Sequence, residues 1–238
     1  MLEIRDIWVY LSASPLLHLT LTLAAFVLAS VVYRKLKMNP LLNPVLLSVI
    51  AIVLILRGTE TSYQTYFEGA QFVHFLLGPA TVALAVPLYR QFDRVRKSAG
   101  AILISLLCGS ITSALSAVSI AWIMGAETIS IISVAPKSVT APVAMRISEQ
   151  LGGLPSLTAV IVILTGIIGA TLGPLILNWL KIHDWSVRGL AIGTASHGIG
   201  TARALQINEV AGAFSGLAMG LNALATAIIL PILWNIFF

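Results

Sequence analysis

Apolar residues run along this chain in long blocks separated by short polar links. The blocks Leu16 to Tyr33, Ala70 to Tyr89, Ala101 to Met124, Leu154 to Leu180 and Val210 to Phe238 each have the length a helix needs to cross about 30 Å of hydrocarbon, roughly 17 to 25 residues. Leu41 to Leu56 is slightly short, and Asn39, Pro40, Asn43 and Pro44 extend it into the interface. The pattern predicts an all-α polytopic membrane protein with about six transmembrane helices. Two further stretches, Thr128 to Gln150 and Gly189 to Leu205, are apolar overall but interrupted. Pro136, Lys137 and Pro142 break the first; Ser196, His197, Gly198 and Gly200 break the second.

The interrupted stretches belong to two similar segments sixty residues apart, Ala135 to Leu157 and Ala195 to Leu217. In register they share Ala135/Ala195, Ala144/Ala204, Ile147/Ile207, Glu149/Glu209, Gly152/Gly212 and Leu157/Leu217, and they set Lys137 opposite His197. Each leads into a long apolar block. Paired interruptions of this kind are a sequence pointer to a transporter's binding site. A weaker echo, GPATVALAVPL at Gly78 to Leu88, reads as a proline kink.

Lys and Arg concentrate in three links: three in residues 34 to 40, four in 90 to 100 and two in 181 to 188, against only Arg57 in 57 to 69. If the three basic links are cytoplasmic, the N-terminus lies outside. The segment 128 to 150 must then dip into the membrane and return, and Gly189 to Leu205 must dip from the opposite face. Each copy becomes one re-entrant hairpin plus one crossing, so the copies have opposite topology. The alternative is eight crossings, two of them discontinuous helices. In both arrangements the interruptions face each other, because irregular backbone at membrane depth must be satisfied by protein or a wet cavity. The chain accordingly divides into a scaffold, residues 1 to 125, and a binding region, 126 to 238, made of the repeats 126 to 183 and 186 to 238.

Composition excludes a soluble protein: 58% of residues are hydrophobic and 10% charged, with mean hydropathy +0.97, whereas soluble domains carry about 25% charged residues. The surplus of +5 charges sits in the links, where it sets orientation and does not recruit nucleic acid. No removable signal peptide is evident. The lone cysteine, Cys108, falls inside an apolar block and reads as packing. No metal-ligand spacing, phosphate loop or paired acidic constellation is present, so neither an enzyme, a cofactor nor a metal site is expected.

Lys137 is the strongest chemical signal, since an ammonium at the bilayer centre costs about 2.5 to 3.5 kcal/mol. Either it pairs with Glu127 or snorkels to the surface, or it attracts an anion together with Ser138, Thr140 and a restarting helix N-terminus. His197 is flanked by Thr194, Ser196, Thr201 and Arg203. It is either a packed, hydrogen-bonded residue or a proton carrier; Arg203 either binds a carboxylate or anchors at the interface. Glu149 and Glu209 read as interfacial caps, His74 and Glu68 as edge residues, and His183 and Asp184 as solvated. Lys137 and His197 are expected to face one cavity.

These segments, with PLLNP at Pro40 to Pro44, YQTYFEGA at Tyr63 to Ala70, GPATVALAVPLY at Gly78 to Tyr89, APKSVTAPVA at Ala135 to Ala144 and RGLAIGTASHGIGTARA at Arg188 to Ala204, resemble the antiholin-like LrgB/CidB family over nearly the whole chain. The resemblance implies one of two roles. Family members are described as modulators of murein hydrolase activity and autolysis. A plant plastid relative translocates glycolate and glycerate, and some bacterial relatives act in pyruvate uptake. It also implies a small LrgA/CidA-type membrane partner and a bacterial cell membrane location. The paired interruptions favour a carrier of small monocarboxylates, proton-coupled through His197, with Lys137, Ser138, Thr140, Thr194, Ser196, His197, Thr201 and Arg203 around the anion. Gly166, Gly169 and Gly173 suit either internal helix packing or the seam of a homo-oligomer.

Overall fold

Apolar blocks this long have one way to satisfy their backbone in lipid, the α-helix. A computed structural model describes residues 15–36, 42, 44–76, 79, 82–83 and 85–237. In chain order the helices are α1 (Pro15–Lys35), α2 (Pro44–Gly58), α3 (Tyr63–Phe75), α4 (Ala85–Arg90), α5 (Phe92–Lys97), α6 (Ala99–Ile123), α7 (Thr128–Val134), α8 (Ala141–Gln150), α9 (Pro155–Trp179), α10 (Trp185–Ile207) and α11 (Glu209–Phe237). No strand occurs among the described residues. Helices α1, α6, α9 and α11 are long and apolar enough to cross a membrane, and α2 is a shorter apolar helix. Leu28, Leu54, Ile104, Ile123, Val160, Leu175 and Leu224 stand exposed on them, as lipid-facing side chains do. The chain is an all-α, multi-pass membrane protein.

The block Ala70 to Tyr89 does not form one helix as expected. Helix α3 starts earlier, at Tyr63, because Ser62 Oγ accepts from Thr65 N at 3.1 Å and so caps it, and α3 ends at Phe75. Much of the stretch between α3 and α4, including most of the GPATVALAVPL echo, and the side chain of His74 lie outside the described residues.

Two compact units divide the chain, Met1–Ala83 and Leu84–Phe238. In the first, α1 packs on α2 and α3. Thr22 Oγ1 and Tyr66 Oη share a hydrogen bond of 2.8 Å, and His18 lies buried edge-on to Tyr66 with centroids 5.8 Å apart. The second unit contains both repeats.

Each repeat forms a hairpin followed by a long helix. In the first, α7 and α8 are the arms and residues 135 to 140 the tip. Thr158 Oγ1 on α9 donates toward Ser133 O (3.0 Å) and Ser148 Oγ (2.8 Å), one on each arm, so the chain has reversed between them. Helix α10 reverses as well. Its one non-helical residue is His197 (φ 41°, ψ −136°). A methyl group at Gly200 would stand 3.1 Å from Ile192 O; on a continuous helix that eight-residue separation is about 12 Å. Before His197 the close approaches to α11 run in parallel, Gly189 on Ala211 and Gly193 on Ser215. After it they run antiparallel, Thr201 on Ser215 and Leu205 on Gly212. Arms of 185 to 196 and 198 to 207 reach about 18 and 15 Å at 1.5 Å per residue, half the hydrocarbon thickness. Of the two arrangements the sequence allowed, the chain reversal that a re-entrant hairpin requires is present in both repeats.

The hairpins approach each other along α9 from opposite ends. The first packs beside its N-terminal half, with Leu154 N donating to Ser133 Oγ and Val162 against Val139 and Ala144. The second packs beside its C-terminal half: Gly166 lies against His197, Gly169 against Ser196 and Leu177 against Ile192. Arg188 ties this end shut, donating to Asn178 Oδ1 (2.8 Å) and Ile182 O (2.9 Å). The tips therefore meet at the middle of α9.

Candidate functional site

Lys137 sits in the first hairpin tip, directly after Pro136, whose missing N–H and ring disfavour a further turn of α7. The tip closes its own backbone bonds, Lys137 N to Val134 O (3.1 Å) and Val139 N to Pro136 O (3.3 Å). That turns the lysine toward α6, where its ammonium donates to Ser113 Oγ (2.9 Å) and Ser138 Oγ (3.2 Å). The two hydroxyls share a bond of 2.7 Å with each other. Arg90–Glu209 (3.0 Å) and Arg146–Glu149 (2.7 Å) form exposed ion pairs. Lys137 thus neither pairs with Glu127 nor snorkels out; it is held half-buried by neutral hydroxyls. An ammonium has three donors, and hydroxyls leave its charge uncompensated.

Ser113 also lines a cavity of about 510 Å³ between α6 and the first arm of α10. Its outer end is at Ser98 and Ser186, where those helices begin, and its inner end is at Gly109, Ser113 and Thr194. Between them the wall is Ala101, Ile102, Ser105, Val187, Leu190, Ala191, Ala195 and Phe214. The surface is apolar with single hydroxyls, and it leads from the basic side of the molecule to the group that holds Lys137. Asn222, midway along α11, closes this inner end by donating from Nδ2 to Ser138 O (3.2 Å) and Thr194 O (3.0 Å). One amide thereby bridges the two hairpins.

The sequence-predicted residues separate into groups. Lys137, Ser138 and Thr194 come together around Ser113 and Asn222. His197 does not join them: it is 4% exposed, its Nε2 meets Val162 O at 2.9 Å, and it lines neither this cavity nor the small one beside Asn222. Its ring turns toward α9, where Gly166 leaves room, and Lys137 itself lines neither cavity, so the cavity expected to be shared by the two is neither of these. Thr201 is internal, bonded to His197 O and Ser215 Oγ at 2.9 Å each. Ser196 is buried against Gly169, its Oγ unpartnered among the described residues. Thr140 stands at the N-cap of α8 without a side-chain cap bond. Arg203 lies toward the mouth of the second hairpin and reaches Gln206 Oε1 at 3.4 Å.

Ser113 and Asn222 escaped the sequence reading. Asn222 carried a usable signal, a single amide in the middle of an apolar block, sixty residues after Val162 and so at the repeat-equivalent place. Ser113 is one of five serines in the run from Ser105 to Ser119 and had none.

This architecture defines a class: all-α multi-pass membrane proteins in which two helical hairpins, entering from opposite ends of a long apolar helix, meet at its middle around a polar centre. The particular family follows from comparison, since the LrgB-like family matches residues 22–236. The chain belongs to that family. It is 40% identical over 203 residues to the uncharacterized protein YxaC of Bacillus subtilis, covering 85% of this chain and 88% of that one. It is 34% identical over 229 residues to the holin-like protein CidB of Staphylococcus epidermidis (96% and 99% covered). The holin-like protein CidB of Staphylococcus aureus is 31% identical over 223 residues (94% and 97%). No solved structure matches the chain.

Proposed function

We propose that this protein is a carrier of small monocarboxylate anions in a bacterial cell membrane and not an enzyme. The observation that carries the reading is Lys137: a lysine at a hairpin tip, with only hydroxyl partners among the described residues, one of which, Ser113, lines the inner end of the large cavity. A carboxylate supplies the negative charge such a centre lacks. One ammonium with two hydroxyls suits one carboxylate, and the apolar wall suits a short tail. The basic links support a reading with the Ser98/Ser186 end on the cytoplasmic side, the N-terminus outside and the cavity opening inward. Two hairpins entering from opposite ends give the inverted symmetry that alternating access exploits.

The test is uptake of labelled glycolate, glycerate and pyruvate into proteoliposomes, with and without a protonophore, comparing wild type with Lys137→Ala. Saturable, Lys137-dependent uptake supports the carrier. The name of the CidB relatives, holin-like, favours a second reading: an oligomer that modulates murein hydrolase export, working with a small LrgA/CidA-type partner. Release of trapped dye without saturable uptake of any acid supports that reading and sinks the first.

A further inference from the structure

The large cavity offers more hydrocarbon than a small acid can cover. Between its outer end at Ser98 and Ser186 and its inner end at Ser113 and Thr194, the wall presents Ala101, Ile102, Leu190, Ala191 and Phe214. Such a wall holds water poorly, because it gives water few partners. Ser186 to Thr194 is eight residues of α10 and Ser98 to Ser113 fifteen along α6, about 12 and 22 Å at 1.5 Å per residue. One leaflet's hydrocarbon is about 15 Å deep, half of about 30 Å. The groove therefore has the depth of one leaflet and runs along the two helices as an acyl chain does.

Its outer end is basic. Ser98 directly follows α5, whose Arg94, Arg96 and Lys97 are exposed and are opposed on that helix by one carboxylate, Asp93. Ser98 N donates to Arg94 O at 3.1 Å. On the α10 side the Asp184 carboxylate is engaged by Ser186 and Val187. The Ser186 hydroxyl first, then the Val187 N–H, hold that carboxyl below its usual range, and the Arg94 charge adds to the effect. Arg94 thus stands within electrostatic reach of the start of α10. Tyr89 and Phe92 before Ser98, and Trp185 before Ser186, are exposed, as aromatic side chains at headgroup depth are. Basic and aromatic residues at the end of an apolar groove complement a negatively charged headgroup.

We infer that this groove binds an anionic phospholipid from the leaflet on that side, with one acyl chain between α6 and α10 and the phosphate at the Ser98 hydroxyl and the basic residues of α5. Ser98 makes no side-chain cap bond to α6, which leaves its hydroxyl to donate to a phosphate oxygen. The end of the acyl chain reaches the level of Ser113 and Thr194. The lipid exchanges with the bilayer, so it gates the groove without sealing it, and a substrate entering from this end must displace it. That consequence rests on the carrier reading; the binding itself does not.

Native mass spectrometry of the purified full-length chain tests this, with phosphatidylglycerol or phosphatidylcholine of the same acyl chains added in detergent and no small acid present. The expected result is one phosphatidylglycerol retained per chain, at least about tenfold tighter than phosphatidylcholine. Replacing the three basic residues together, Arg94→Gln, Arg96→Gln and Lys97→Gln, should bring the two lipids within about twofold. Ala191→Trp fills the groove from an exposed position on its wall and should weaken phosphatidylglycerol binding about tenfold. If that variant does not fold, Ala101→Trp on the facing helix replaces it, and the wild-type headgroup preference is read in any case. Equal retention of the two lipids, retention unchanged by the groove-filling tryptophan, or a lipid-free dimer in which a second copy covers the groove overturns the inference. None of these outcomes bears on the carrier reading, since no acid takes part and the uptake assay tests that separately.

Discussion

Val162 and Asn222, sixty residues apart and equivalent in the two repeats, each bond to the hairpin tip of the other repeat. Val162 O meets His197 Nε2 at 2.9 Å, and Asn222 Nδ2 donates to Ser138 O at 3.2 Å. Val162 also packs on Val139 and Ala144 of its own hairpin, and Asn222 also holds Thr194 O of its own. The long helices α9 and α11 thus each touch both tips. Neither hairpin can shift without breaking a bond to the other repeat, and this places the proposed binding centre where the two halves are coupled.

Gly200→Ala distinguishes a hairpin from a continuous helix. In a continuous helix the change stabilises by up to about 1 kcal/mol. At this tip the new methyl meets Ser196 Cβ at 2.5 Å and Ile192 O at 3.1 Å, so a loss of about 1 to 3 kcal/mol is expected. Thermal unfolding in detergent reads it. A raised melting temperature is incompatible with the reversal at His197.

His197 holds a left-handed backbone, φ 41°, which a side chain tolerates at a cost of order 1–3 kcal/mol. Its bond to Val162 O offsets part of that. His197→Ala retains the strain and loses the bond; His197→Gly loses the bond but relieves the strain. Glycine should therefore be the more stable variant, by about 1 kcal/mol. Alanine equal to or better than glycine would contradict the backbone assigned to the tip.

Lys137→Ala should abolish saturable uptake while leaving the melting temperature unchanged or raised, because it removes a charge that burial disfavours and no carboxylate compensates. Lys137→Arg keeps the charge, but a planar fork does not reproduce the ammonium's fit between two hydroxyls. Ser113→Ala removes one of those hydroxyls and should weaken uptake about threefold to tenfold. Full activity in Lys137→Ala ends the anion-site assignment.

How far the site could be read from sequence depended on the residue. Helices α1, α6, α9 and α11 follow the apolar blocks to within a few residues, because in lipid a long apolar block has no other stable form. The two interruptions were visible as Pro136/Lys137 and Ser196/His197/Gly198, and charge counting gave their opposite entry. The direction in which each tip side chain turns was not visible. Lys137 turns to α6 and His197 to α9 because of the space Gly166 leaves and the hydroxyl Ser113 presents, and both are features of tertiary packing. Asn222 is the intermediate case: its position was anomalous in the sequence, but its meaning depended on two carbonyls 84 and 28 residues away.

Asp184 caps α10 at the mouth of the second hairpin, accepting from Ser186 N (2.8 Å) and Val187 N (3.1 Å) and from the Ser186 hydroxyl. The Ser186 hydroxyl, then the Val187 N–H, hold its carboxyl below the usual carboxylate range. A lowered folded pKa contributes stability above the unfolded value, near 3.9, and loses it as pH falls through the folded one. Asp184→Ala should cost about 1 kcal/mol at neutral pH. The gap between the two melting temperatures should close only below about pH 4, and a gap independent of pH would exclude an ionised cap.

The large cavity gives a test of sidedness. Ser105 lies on its wall, between the outer end at Ser98 and the inner end at Ser113, and Cys108, which is exposed, must first be replaced by serine. In the Cys108→Ser background, Ser105→Cys should react with a membrane-impermeant thiol reagent applied from the cytoplasmic face and not from outside. A bound small acid should slow that reaction, because its carboxylate at Lys137 places its tail along the same wall. Labelling from outside alone would invert the orientation drawn from the basic links. Labelling at equal rates from both faces would mean a continuous pore, as the holin-like reading requires, since a carrier with two meeting hairpin tips exposes its centre to one side at a time.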